Sequence, residues 1–407
     1  MIYSDSLSHR KQAMVIHVCD THNRPLARQE IQVTQLSHEF LFACGAFETM
    51  HIVEPKDEIT RAFYQQRYDL WLRLFNMGTL PFYWGQFEPE EGKSIASTIE
   101  KMAKYLVGHN IILKGHPLCW HTRTAPWLLG QPDEEVLQRQ LERIKRDIDQ
   151  FKPLIHIWDV INEVVIMPEF DKYDNAITRI CKRYGRVGLV KQVFEAARQA
   201  DTNATLLIND FNTSERYAHL IEDCLGAGVP IDAIGIQSHQ HQGYWGDEKL
   251  EEVLGRFTAF GLPIHFTENT FISGKLMPPD IVDLNDYKVD SWPTEAKAEE
   301  RQARDVEHFY RRLFACPSVQ AITTWAFQDN AWLHAPAGMV RVDNSVKPAY
   351  EVLDHLINKE WKTKTTLVTD EEGNASFLGF RGTYEVTIHK QRFGFDSTQK
   401  EVCLTLL

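Results

Sequence analysis

Two glutamates in this 407-residue chain stand at the ends of short apolar runs. Glu163 lies in IHIWDVINEV (155–164) and Glu268 in PIHFTEN (263–269). Carboxylates placed as a pair can cleave a glycosidic bond: one, held protonated, donates to the departing oxygen, and the other, ionised, attacks the anomeric carbon. A gap of about 5–5.5 Å gives retention of configuration and about 6.5–9.5 Å gives inversion. The expectation here is the shorter gap. His116, His121, His239 and His241 are donors that a metal could use. None stands in the tight spacing of a zinc motif, so no metal and no cofactor is expected.

The polar residues recur at the ends of apolar runs, and this regularity points to the elements that must hold them. Strand-length runs occupy 40–47, 78–84, 111–120, 155–164, 205–211, 231–239, 263–269 and 321–327. Each is apolar on both faces, as a buried parallel strand is. Segments of helical period alternate with them at 57–75, 94–109, 133–151, 176–201, 213–227, 247–260, 295–315 and 346–359. Eight strands alternating with eight helices predict an α/β fold of the (β/α)8, or TIM-barrel, type. No glycine-rich phosphate fingerprint follows the first strand to favour a doubly wound sheet. Reactive groups of such a barrel belong at the C-terminal ends of its strands, where Glu163 and Glu268 fall.

The flanks read differently. Residues 13–36 and 363–391 alternate apolar and polar around turns, a β signature. An isolated hairpin is marginal in water, so the two flanks are expected to share one small accessory β-sandwich formed by the N- and C-terminal segments. The expected division is 1–37 for the N-terminal β segment, 38–360 for the barrel and 361–407 for the C-terminal β segment. The net charge of −12 argues against a nucleic-acid partner. No apolar stretch reaches the length of a membrane span. Cys19, Cys44, Cys119, Cys181, Cys224, Cys316 and Cys403 are scattered, with no CxxC pair. With the polar start MIYSDSLSHRKQ they favour a reducing, cytoplasmic setting.

The motifs GHPLCWHT (115–122), WDVINEV (158–164), LLINDFN (206–212), IDAIGIQSH (231–239), FTEN (266–269) and TTWAFQDNAW (323–332), with KPAY (347–350), occur in order at those strand ends. In these the chain resembles glycoside hydrolase family 10, whose best-known members are endo-β-1,4-xylanases, over roughly residues 38–358. The resemblance implies a retaining glycosidase with Glu163 as acid/base and Glu268 as nucleophile. It implies that Asn162 contacts the 2-hydroxyl of the cleaved sugar, that His121 and Gln237 contact that sugar, and that His239 braces the nucleophile. Trp84, Trp325 and Trp332 are implied as aromatic walls of a cleft, since sugars present apolar faces to rings.

One stretch departs from the family. Where its xylanases carry Glu-Asn-x-x-Lys-Trp at the end of the second strand, this chain reads Thr79-Leu80-Pro81-Phe82-Tyr83-Trp84, without the polar clamp. With the long segment from Phe271 to Thr294, which could close over the cleft, this predicts better turnover of short oligosaccharides than of polymeric xylan. Two other readings are weighed: the same machinery acting on a different β-glycoside, and a non-catalytic carbohydrate-binding barrel. Trp158 reads as core. Asp210 and Asn212 read equally as helix caps or substrate contacts, and Tyr244 and Trp245 equally as a binding wall or a loop anchor.

Overall fold

The computed structural model describes residues 7–281 and 284–406. The polar start thus lies partly outside the described residues. The strands in chain order are β1 Lys11–Cys19, β2 Glu30–His38, β3 Leu41–Gly45, β4 Met77–Pro81, β5 Ile112–His116, β6 Ile157–Asn162, β7 Thr205–Asp210, β8 Ala233–Ile236, β9 His239–Gln240, β10 Ile264–Phe271, β11 Val319–Thr324, β12 Lys364–Val368, β13 Asn374–Phe380, β14 Gly382–Ile388, β15 Gln391–Asp396 and β16 Glu401–Thr405.

Eight of them, β3 to β8 with β10 and β11, form a parallel sheet that closes on itself because β11 pairs with both β10 and β3. The two-residue β9 adds to the far end of β10. Each apolar run in the sequence overlaps one of these strands, with β4, β10 and β11 extending one or two residues beyond theirs. The helical segments follow, with two refinements: 176–201 is broken at Gly185 into Ala176–Tyr184 and Arg186–Ala200, and Pro348–His355 runs on into a single wide turn, Leu356–Glu360.

Alternation along the strands grades the barrel interior from foot to mouth. Ala43, Met77, Ile157, Leu207, Ala233 and Ala321 make an apolar layer near the foot. Two residues further along their strands, Ile157 and Leu207 give way to Asp159 and Asn209, which point the same way. The apolar layer thus lies beneath a layer of buried polar side chains nearer the mouth.

The flanking segments form two antiparallel-rich sheets, in the orders β13-β1-β16 and β12-β2-β14-β15. Each takes one strand from the N-terminal flank and the others from the C-terminal flank. Met14, Ile16 and Val18 of β1 alternate inward and meet Ile31, Val33, Tyr384, Val386 and Ile388 in a core separate from the barrel's. The C-terminal flank runs further in β structure than 391, through β15 and β16. This unit seats at the barrel foot. The Arg10 guanidinium donates to the carbonyls of Phe314, Cys316 and Val319 at 2.9, 2.7 and 2.6 Å. Trp361 stacks on Phe314 with ring centroids 4.1 Å apart. Among the described residues, no helix is long and apolar enough to cross a membrane.

Candidate active site

The mouth of the barrel gathers one hydrogen-bonded network around the two glutamates. Asn209, at the end of β7, is its hub: its amide nitrogen donates to Glu268 Oε1 at 2.9 Å and to Asn162 Oδ1 at 2.8 Å. Its own oxygen accepts from Thr267 Oγ1 at 2.6 Å, which fixes the orientation of the amide. Gly235 on the neighbouring strand leaves room for it, since a Cβ there would stand 2.5 Å from Asn209 Oδ1. Gln237 bridges to the other glutamate, with Nε2 at 3.1 Å from both Asn162 Oδ1 and Glu163 Oε1. The sequence therefore brings Glu163, Glu268, Asn162 and Gln237 into one cluster. Asn162 Nδ2 in turn lies 3.3 Å from Glu163 Oε1.

Glu163 sits just past β6 with a left-handed φ of 56°, a conformation disfavoured for a glutamate. Its N–H is anchored on Asn209 O at 2.8 Å. The indole of Trp120 donates to its Oε2 at 2.9 Å. Burial pushes its pKa up to about 8, against the hydrogen bonds from Gln237 and Trp120 and assisted by the negative charges of Glu268 and Asp210. It is thus protonated at neutral pH.

Glu268 lies within β10 and is 4% exposed. Burial alone would push its pKa up, but His116, His239 and Lys114 outweigh it and hold the carboxyl below its ordinary value. His239 Nε2 lies 3.2 Å from Glu268 Oε2 and Nδ1 lies 3.2 Å from Thr270 Oγ1. The tautomer that fits donates from Nε2 to the carboxylate and accepts from the threonine hydroxyl. His116 Nε2 stands 3.9 Å from Glu268 Oε1. Behind it, fully buried Asp159 receives His116 Nδ1 at 2.7 Å and Lys114 Nζ at 2.8 Å on the same oxygen. The Lys114–Asp159 pair is thus wholly buried behind His116.

The other predicted residues divide. His121 is 1% exposed beside Phe170, and burial takes its pKa down to about 3, so it is a neutral imidazole. Its Nδ1 has no partner among the described residues. Trp332 stacks on His239 at 4.8 Å. Trp325 stands edge-on to His116 and Phe47 at 5.1 and 5.3 Å. Trp84 is a correction. It is 5% exposed, its indole bonds Glu88, and its ring is held between Arg143 and Trp127, within the core. Tyr83 takes the inward direction instead, with its ring 5.6 Å from both His116 and Trp120.

Asn209, His116, Trp120, Lys114 and Asp159 were not singled out as site residues from the sequence. The usable signal was charge or amide at every second position in otherwise apolar strands, as in Lys114 and His116. Trp158 is wholly buried. Asp210 accepts from the backbone N–H groups of Val165 and Asn212, so it braces the loop that carries Glu163. Asn212 accepts from Ser214, and Ser214 caps the next helix. Tyr244 and Trp245 pack on Phe309 and anchor their loop. Within the segment from Phe271 to Thr294, Ile272, Met277 and Trp292 pack with Ala326, Ala335 and Ala337 beside Trp332. Lys172 bonds Asp286 at 2.9 Å and so ties together the loops after β6 and β10, the strands that lead to the two glutamates. Among the described residues, no three His, Cys, Asp or Glu side chains are placed to hold a metal ion.

The chain is similar to known proteins. The endo-1,4-beta-xylanase/feruloyl esterase of Xylanibacter ruminicola is 31% identical over 232 residues, 50% of this chain and 32% of that protein. The anti-sigma-I factor RsgI6 of Acetivibrio thermocellus is 25% identical over 393 residues, 93% of this chain and 45% of its own length, so that alignment reaches into both flanking β regions. The chain spans less than half the length of these two curated relatives. The crystal structure of xylanase 10B from Thermotoga petrophila in complex with xylobiose superposes with a TM-score of 0.64 over 79% of this chain and 95% of that one, at 22% identity, a likeness of fold. Residues 65–355 match the profile of glycosyl hydrolase family 10, and the chain belongs to that family.

Proposed function

We propose that the chain is a retaining glycoside hydrolase that cleaves β-1,4 bonds in xylan-type oligosaccharides by double displacement. The observation that carries this reading is the pair of glutamates in one network with pKa values pushed apart, Glu163 up to about 8 and Glu268 below its ordinary value. Ionised Glu268 attacks the anomeric carbon while Glu163 gives its proton to the departing oxygen, so a C–O bond to the enzyme forms as the glycosidic C–O bond breaks. Glu163, now a carboxylate, takes a proton from water. That water attacks the same carbon and releases Glu268. Asn209 and His239 hold the nucleophile. Trp120 and Gln237 hold the acid. The rings of Trp332 and Tyr83 offer apolar faces to the sugar.

The lost polar clamp around Thr79–Trp84 and the tie between Lys172 and Asp286 favour short oligosaccharides over polymer. We assign residues 38–360 to the catalytic unit, with 1–37 and 361–407 as its accessory β module, a division supported by the separate core of the flanking sheets. Seven unpaired thiols, five of them buried, fit a reducing compartment.

Incubation with an activated 2-fluoro xyloside followed by intact-mass measurement tests the reading. The expected result is one added glycosyl unit that is absent in Glu268→Ala. No added mass together with tight oligosaccharide binding would establish the non-catalytic alternative. Labelling by a fluoro-glucoside but not the xyloside would establish the other glycone. A fast drop in xylan viscosity would overturn the preference for short chains.

A further inference from the structure

The loop after β5 carries a cation with no internal use. Arg123 is exposed and forms no ion pair among the described residues. Cations on nearby loops are spent: Lys172 on Asp286, Arg186 and Arg216 on Glu169. The Arg123 backbone is fixed. Its φ is 51°, and its carbonyl accepts from the Gly85 N–H at 2.7 Å. The fit is so close that a Cβ on Gly85 would meet the carbonyl oxygens of Thr124 and Arg123 at 2.6 and 2.9 Å. A non-glycine residue held in the left-handed region of a tight wall is a feature that the surrounding structure must stabilise.

The place of this wall is set by its neighbours. Gly85 follows Tyr83, whose ring stands against Trp120, and Trp120 donates to Glu163. On the other side, the Tyr173 hydroxyl lies against the Arg123 backbone. Burial and the charge of Glu268 raise the Tyr83 hydroxyl while Arg123 opposes them, so cation and nucleophile act on one ring. Arg123 therefore stands at the cleft, in the wall from which the second-strand clamp is missing.

A guanidinium presents a planar fork that matches a carboxylate in two parallel hydrogen bonds. Neutral xylose offers it only hydroxyls. We propose that Arg123 is a specificity-determining residue that receives the carboxylate of an acidic sugar branch, so that the preferred substrate is a xylo-oligosaccharide bearing a uronic acid. This rests on the glycosidase reading above and names its substrate class.

The test measures binding, so that it stands apart from turnover. The full chain carrying Glu163→Gln is titrated calorimetrically with a xylo-oligosaccharide bearing one glucuronic acid and with its undecorated counterpart, with and without Arg123→Gln. The expected result is tighter binding of the acidic ligand by about tenfold or more, as hydrogen bonds to a charged group give. That preference disappears in Arg123→Gln, is partly kept in Arg123→Lys, and shrinks as salt rises from about 0.01 to 0.15 M. Equal affinity for the two ligands, or a preference that survives Arg123→Gln, overturns the proposal. Failure of the wild-type chain to hydrolyse either ligand while the binding preference stands would count against the glycosidase reading and leave the assignment of Arg123 supported.

Discussion

The wall that carries Glu163 and the wall that carries Glu268 hold the same side chain in opposite electrostatic company. Glu163 sits on a strained turn, faces amide and indole donors, and has Asp210 and Glu268 as its charged neighbours. Glu268 sits inside a regular strand with two imidazoles and, behind them, a buried lysine–aspartate pair. Neutral donors stabilise a carboxylate less than cations do, so burial wins on the first wall and loses on the second. The contrast teaches that the two roles are assigned by what surrounds the glutamates.

The contrast can be broken at either wall. Glu268→Ala removes the proposed nucleophile and should lower turnover of every glycoside by about 10⁴-fold or more, read as kcat on aryl xylosides. Glu163→Ala should cost about 10²- to 10⁴-fold on substrates with a poor leaving group. It should cost far less on a dinitrophenyl glycoside, whose departing oxygen needs no proton. Added azide should then restore rate and yield a β-glycosyl azide. An equal loss on both leaving groups would mean that Glu163 is not the acid.

Two finer measurements sharpen it. The proposed mechanism requires protonated Glu163 and ionised Glu268, so kcat/KM should fall as pH rises through about 8 and should fall on the acid side only below the ordinary carboxylate range. His116→Asn takes away the imidazole that stands between Glu268 and Asp159 and helps hold Glu268 down. The acid limb should move up by about one pH unit while the alkaline limb stays. A profile that keeps its shape would reduce His116 to packing. The smallest effect is on stability. The pKa of Glu163 is raised on folding, so its ionisation opposes the fold increasingly as pH climbs from the unfolded value, about 4.3, toward 8. Glu163→Gln should therefore raise Tm at pH 8 by about 2 °C more than at pH 5, measured by calorimetry.

The barrel was legible because buried parallel strands announce themselves as apolar runs, and Glu163 and Glu268 because their motifs end such runs. What sequence did not convey was direction at a strand end. Tyr83 and Trp84 are adjacent aromatics past the end of β4, where the chain turns into the short helix Trp84–Phe87, and that turn sends one ring toward His116 and Trp120 and the other into the core. Lys114 and Asp159 were also obscure, because each alone looks like a polar flaw in an apolar strand. Only the 2.8 Å contact between β5 and β6 makes them a buried charge pair. The short strands β15 and β16 lie beyond the alternation that marks 363–391, at the edges of their sheets.

The two flanking sheets also bear on the order in which the molecule is made. β1 and β2 are synthesised before the barrel, yet the partners of β1, at Asn374–Phe380 and Glu401–Thr405, emerge after it. Until then both strands carry unpaired edges, the kind of surface that invites pairing with another chain. Closing a loop that runs from Val15 to Glu401 in an unstructured chain carries a large entropic cost, which a folded barrel between the ends removes. The barrel is thus the template on which the module assembles. On that order, limited proteolysis of nascent chains that stop short of Glu401 should cut within β1 more readily than in the full chain.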